Sequence, residues 1–91
     1  MLKESHLIVK GCVQGVGFRY FVKNLANHHN LVGYTKNLAD MSVEICVQGP
    51  ELAISSFLKD LKQPHNPIKI DEILLETSAP SKLFCEFQIL T

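Results

Sequence analysis

Residues 6–26 read His6-Leu7-Ile8-Val9-Lys10-Gly11-Cys12-Val13-Gln14-Gly15-Val16-Gly17-Phe18-Arg19-Tyr20-Phe21-Val22-Lys23-Asn24-Leu25-Ala26, and the apolar period changes midway. Up to Val13 the pattern is that of a strand, with Leu7, Val9 and Val13 alternating against Ile8, Lys10 and Cys12. From Phe18 the apolar positions become Phe18, Phe21 or Val22, Leu25 and Ala26, the stripe of an amphipathic helix. Gly15 and Gly17 sit between the two patterns and mark a tight strand-to-helix turn.

The same alternation of periods continues outward. Leu31 to Leu38 and Ser42 to Gln48 read as two strands joined by a turn at Ala39-Asp40-Met41. Gly49-Pro50-Glu51 opens a second helix, with Pro50 suited to the first helical position and Glu51 to the first turn. Its stripe is Ile54, Phe57, Leu58 and Leu61, and Pro64 and Pro67 end it. Ile68 to Glu76 is a fourth strand, Thr77 to Lys82 a turn, and Leu83 to Leu90 a last short strand with Cys85, Phe87 and Ile89 on one face. The order β-α-β-β-α-β plus a terminal strand predicts an α+β, two-layer sandwich: one mostly antiparallel sheet with two helices on one face. Residues 1–91 form a single domain on this reading, and the first two strands run parallel with the third between them.

Composition narrows the function. The chain is 46% hydrophobic and 20% charged, the balance of a soluble globular domain. Nine basic and nine acidic residues cancel, which argues against a partner held by its phosphate backbone, so no nucleic acid is expected. No apolar run approaches the roughly 18 residues of a membrane span, and Met1-Leu2-Lys3-Glu4 turns polar too early for a secretion signal. Cys12, Cys46 and Cys85 are odd in number and widely spaced, as free thiols in a reducing compartment would be, and a cytoplasmic location follows. Cys85 falls in phase with Phe87 and reads as a small core residue; Cys12 and Cys46 fall on the polar phase and read as exposed. His28 and His29 are adjacent and diverge on a helix, while His6 and His65 lack sequence partners, so neither metal nor cofactor is expected. With no spare apolar face in the pattern, a monomer is the default.

The glycine turn carries the chemistry. Glycines between a strand and a helix let several backbone N–H groups converge, and the helix adds its positive end; such a nest suits a phosphate. Arg19 follows in the first helical turn, where its planar fork can clamp two oxygens. A Walker A loop would need Lys-Ser or Lys-Thr where Phe18-Arg19 stands, and a dinucleotide fingerprint a third glycine where Tyr20 stands. Gly17-Phe18-Arg19-Tyr20-Phe21-Val22 partly resembles an RNA-recognition aromatic motif, but that motif belongs on a central strand. Two glycines before a helix also serve simply as a tight turn.

Val13-Gln14-Gly15-Val16-Gly17-Phe18-Arg19, together with Gly33-Tyr34-Thr35-Lys36-Asn37-Leu38 and Ser42-Val43-Glu44 through Gln48-Gly49-Pro50, resembles the acylphosphatases over nearly the whole chain. The resemblance implies a ferredoxin-like sandwich that hydrolyses the carboxyl–phosphate bond of small acyl phosphates without metal. It also implies a catalytic pair, Arg19 and Asn37, and a phosphate cradle of Gln14, Gly15, Val16, Gly17, Phe18 and Arg19. Phosphate is then both product and inhibitor. Such a reaction expels a carboxylate, which leaves without a general acid; what remains is to neutralise the phosphoryl oxygens and to aim a water in line. Backbone amides and Arg19 suit the first task, and the neutral carboxamide of Asn37 the second. Two strand spacings, roughly 10 Å, separate the ends of the first two strands, a gap that a long arginine and a short asparagine can close. The chain departs from the family at Met41, where glycine is usual and a positive φ is implied, at Cys12 in place of a frequent basic residue, and at Tyr34 in place of a frequent tryptophan.

Overall fold

The computed structural model describes residues 2–80 and 82–90. In chain order the elements are β1 (Leu2–Cys12), α1 (Phe18–His28), β2 (Val32–Asn37), β3 (Val43–Pro50), α2 (Glu51–Leu61), β4 (Lys69–Ser78) and β5 (Phe87–Leu90). The strands form one sheet in the order β4-β1-β3-β2-β5. Among the described residues only β2 and β5 pair in parallel; β1–β3, β1–β4 and β2–β3 are antiparallel. The expected α+β, ferredoxin-like sandwich is therefore the fold, with β1 and β2 parallel across β3.

Alternation explains the layering. Leu7 and Val9 of β1 and Val43, Ile45 and Val47 of β3 are fully buried on the helix side. Phe18, Val22 and Ala26 of α1 and Ile54, Phe57 and Leu61 of α2 close over them, each at helical spacing. Pro50 differs from expectation: it ends β3 in an extended conformation (φ −62°, ψ 147°) as the helix cap, and Glu51 is the first helical residue. A proline cap fits because its fixed φ suits the entry to a helix and its missing N–H costs nothing there.

The other face of the sheet corrects the reading of the cysteines. Residues 82–86 do not extend β5; they cross the back of the sheet. Gln48 donates from Nε2 to the Lys82 carbonyl and to Glu4 Oε1 (2.8 Å), and the Phe84 N–H donates to Gln48 Oε1 (3.2 Å). The Phe84 ring meets Tyr34 edge-on at 5.7 Å. Cys46 lies under this cover and is 4% exposed, whereas Cys85 lies on the crossing segment and is exposed; Cys12 is exposed as expected. On the polar phase of β3, Gln48 bonds to this coil segment and Cys46 is buried rather than meeting water.

His6 is not without a partner. It pairs with Glu44 one strand over, and Glu44 also accepts from Tyr34 Oη (3.0 Å) and sits 3.7 Å from Lys36 Nζ. Burial acts most strongly on Glu44 and pushes its carboxyl up, but His6, Tyr34 and Lys36 together outweigh burial and hold it below the usual range. Burial first, then the bond to Glu44, pushes Tyr34 from 10.0 to about 12. Cys46 is likewise pushed up, from 9.0 to about 12, by burial and by Glu4 and Glu44. Both groups hold their protons longer when folded, so stability is lost as pH rises through these windows. Tyr34→Phe is expected to remove the tyrosine's share, flattening the loss between about pH 10 and 12 in denaturant titrations. An unchanged alkaline slope would contradict the placement of its hydroxyl.

Candidate active site

The loop from Gln14 to Gly17 joins β1 to α1 at one end of the sheet. Gly15 and Gly17 hold φ of +74° and +79°, and a Cβ added at either would meet nothing within 4 Å. Their need for glycine is conformational, and the backbone they expose is open on its outer side. Gly17 caps α1 without a side-chain hydrogen bond, and the first turn carries no acidic residue, so the helix's positive end is uncompensated by the chain. Among the described residues, no acceptor takes the N–H groups of Gln14 through Arg19. Six consecutive backbone donors thus line one short loop, the arrangement that binds oxyanions.

The cradle residues divide by what their side chains do. Phe18 is 1% exposed and anchors the helix in the core, so only its amide can face a ligand. Val16 is half-buried and packs against the core edge. The Gln14 carboxamide donates to the carbonyls of Leu38 (2.9 Å) and Ser42 (2.8 Å), so what Gln14 offers the cradle is its backbone amide. Both N–H bonds are spent on the β2–β3 turn, so its side chain latches the glycine loop to the turn that follows Asn37.

Arg19 is half-buried, and its Nη1 donates to the Leu90 carbonyl (3.1 Å). Leu90 stands opposite Lys36 in the parallel β2–β5 pair, so the guanidinium is tied one strand over from the end of β2, a spacing of about 4.8 Å. Asn37 ends β2, is exposed, and makes no side-chain hydrogen bond among the described residues. It shares the face of Thr35, whose neighbour Ile45 is in the core, and therefore lies on the helix side of the sheet, the side on which α1 begins. Lys36 and Tyr34 alternate to the back face, where both engage Glu44.

The β2–β3 turn is held tightly. Leu38 N–H donates to the Ser42 carbonyl (2.9 Å), Met41 N–H to the Leu38 carbonyl (3.2 Å), and Asp40 accepts from the amide and hydroxyl of Ser42. These bonds to Ser42 hold the Asp40 carboxyl below its ordinary value. Met41 adopts φ +76°, the left-handed conformation expected from the sequence, and its side chain is 63% exposed. A glycine there removes the Cβ penalty of about 1–2 kcal/mol against a smaller entropic cost. Met41→Gly is expected to leave the melting temperature unchanged or raised; a clear drop would contradict the turn conformation.

Sequence reading missed two contacts that position the site: Gln14 to the turn, and Arg19 to Leu90. Both acceptors are main-chain carbonyls.

Comparison with known proteins agrees with this fold. The family model described as Acylphosphatase matches residues 5–89. An acylphosphatase of Treponema denticola is 42% identical over 72 residues, covering 79% of this chain and 77% of its own. A crystal structure of acylphosphatase from Bacillus subtilis superposes with a TM-score of 0.94 at 40% identity, each chain covered over its full 100%. The probable carbamoyltransferase HypF of Methanocaldococcus jannaschii is 42% identical over 83 residues, which are 90% of this chain but 11% of that protein. With its matched span covering the glycine loop, Arg19 and Asn37 alike, the chain belongs to the acylphosphatase family.

Proposed function

We propose that this chain hydrolyses acyl phosphates without a metal ion, with Arg19 and the amides of Gln14 through Arg19 holding the phosphoryl group and Asn37 aiming the water. Membership of the acylphosphatase family supports hydrolysis of an acyl phosphate as the reaction. The observation that carries the assignment of residues is the run of unpaired amides at an uncapped helix start, beside an arginine tied toward the end of β2.

In this reading the substrate enters with its phosphoryl oxygens against the loop. The amides and the helix end meet the charge on these oxygens, and the guanidinium clamps the two turned toward β2. Because the donors are fixed by φ at Gly15 and Gly17, by the core anchor Phe18 and by the Leu90 carbonyl, little reorganisation accompanies the reaction. Asn37 accepts a hydrogen bond from a water through its side-chain oxygen and holds it behind phosphorus. Bond formation from that water and cleavage of the P–O bond to the carboxylate proceed in line, and the carboxylate departs as a weak base. The guanidinium supplies the positive charge that a cation would otherwise supply, which is why no metal is needed.

The free thiols of Cys12, Cys46 and Cys85 fit a reducing compartment, and a cytoplasmic location and a monomeric state are part of this reading. The test is turnover of benzoyl phosphate in excess EDTA with inorganic phosphate as inhibitor. Full activity after chelation and competitive inhibition are expected. Phosphate binding without turnover would overturn the reading in favour of a non-catalytic anion-binding module.

A further inference from the structure

The helix-facing series of β1 is Lys3, Ser5, Leu7 and Val9, and Ser5 breaks its apolar run. The residue is 1% exposed, on the face that Leu7 and Val9 turn to the helices. A hydroxyl buried there costs free energy unless it is hydrogen-bonded. Among the described residues the other buried polar side chains all have partners. Thr35 donates to the Glu44 carbonyl, Ser42 to Asp40, and Gln48 to Glu4 and the Lys82 carbonyl. Ser5 makes no side-chain hydrogen bond among the described residues. No wholly buried side-chain oxygen among them lacks a partner, so the Ser5 hydroxyl keeps its trace of exposure, and it keeps it toward a cleft.

The cleft follows from how far α2 reaches. That helix packs on β3 and β1 and leaves the helix side of β4 open, where Leu75 is 48% exposed. Between α2 and β4, over the start of β1, lies a hollow of about 250 Å³. Ile54 and Leu58 make its apolar wall, while Ser55 and Thr77, the latter paired across from Ser5, each add a hydroxyl. Lys3 and Glu51 bring opposite charges to the same hollow, yet among the described residues neither forms an ion pair, with the other or elsewhere. This is not the candidate active site: seven residues of strand, roughly 23 Å, separate Ser5 from Cys12, where the glycine loop departs. An apolar wall, three hydroxyls and an unpaired charge of each sign complement a zwitterion with an aliphatic side chain. The hollow falls below the roughly 300–1,000 Å³ of sites for drug-sized ligands, so the zwitterion is a small one.

We propose that this cleft binds a free α-amino acid with an aliphatic side chain, its carboxylate against Lys3, its ammonium against Glu51 and the Ser5 hydroxyl bonded to one of its polar atoms. The aliphatic part rests on Ile54 and Leu58. The site is independent of the hydrolytic reading, and none of its residues takes part in the chemical step.

The experiment titrates the ¹⁵N-labelled protein with L-leucine to about 20 mM, enough to populate a millimolar site. The amides of Ser5, Glu51, Ser55 and Thr77 should shift and saturate, while Gly15 through Arg19 stay in place. Leucine amide keeps only the ammonium and isocaproate only the carboxylate, so each should bind at least about 5-fold more weakly than leucine. Ser5→Ala should weaken leucine by about 3- to 10-fold and leave turnover of benzoyl phosphate unchanged. Its melting temperature should hold or rise, because the hydroxyl gives up no partner within the fold; a drop would contradict the unpartnered serine and overturn the site. Absence of shifts with leucine, shifts confined to the glycine loop, or isocaproate binding as tightly as leucine would also overturn it. Loss of turnover in the unaltered protein would defeat the hydrolytic reading alone, since none of these binding readouts depends on it.

Discussion

Arg19→Ala is expected to lower kcat for benzoyl phosphate by about 10²- to 10³-fold, the scale for removing one preorganised charge-stabilising group. The side chain is half-buried and makes one recorded hydrogen bond, to the Leu90 carbonyl, so the loss falls on the reaction more than on the fold. Arg19→Lys should recover little of it. An ammonium keeps the charge but cannot hold the Leu90 carbonyl and two phosphoryl oxygens in one plane, as a guanidinium fork can. The competitive inhibition constant for phosphate should weaken in both variants, because Arg19 serves the bound anion as well as the transition state. A variant with normal phosphate inhibition and normal kcat would remove Arg19 from the site.

Asn37→Ala is expected to cost at least about 10²-fold in kcat while leaving phosphate inhibition nearly unchanged, since its task is to place water rather than to hold the anion. The split between the two variants is the informative quantity. Asn37→Asp sharpens it: the side chain keeps its size and an acceptor oxygen, but adds a negative charge beside an anionic substrate. That variant should lose activity and also bind phosphate more weakly. The residue is exposed and ends β2, so neither change is expected to shift the melting temperature by more than about 2 °C. Near-normal turnover in Asn37→Ala would exclude the water-positioning role.

The order and type of every element were legible because each strand or helix carries its own period, as the stripe Ile54, Phe57, Leu61 shows for α2. The loop's conformation was legible too, since Gly15 and Gly17 occupy backbone space other residues avoid, and Met41 was recognisable as the place where that rule is broken. What covers a face was not. Alternation marked Cys46 and Gln48 as sharing the side of β3 opposite Ile45 and Val47, but nothing in it tells water from a coil segment arriving more than thirty residues later, as residues 82–86 do. The same limit exchanged the exposures of Cys46 and Cys85.

Main-chain acceptors were equally hidden. Arg19 and Gln14 were picked out as site residues by their place in the loop, yet their partners are the carbonyls of Leu38, Ser42 and Leu90, which any residue would offer. A cross-strand set such as His6, Tyr34 and Glu44 becomes visible only once the register of β1, β2 and β3 is known. The latch at Gln14 is the contact that ties the two halves of the candidate site, because it joins the loop that presents the amides to the turn beside Asn37.

The most direct measurement is a titration of the uniformly ¹⁵N-labelled protein with inorganic phosphate, followed amide by amide. The largest shifts should fall on Gly15 through Arg19, saturating at the concentration that halves turnover. Shifts centred elsewhere, or loop amides that stay still while phosphate inhibits, would contradict the claim that these backbone donors hold the phosphoryl group.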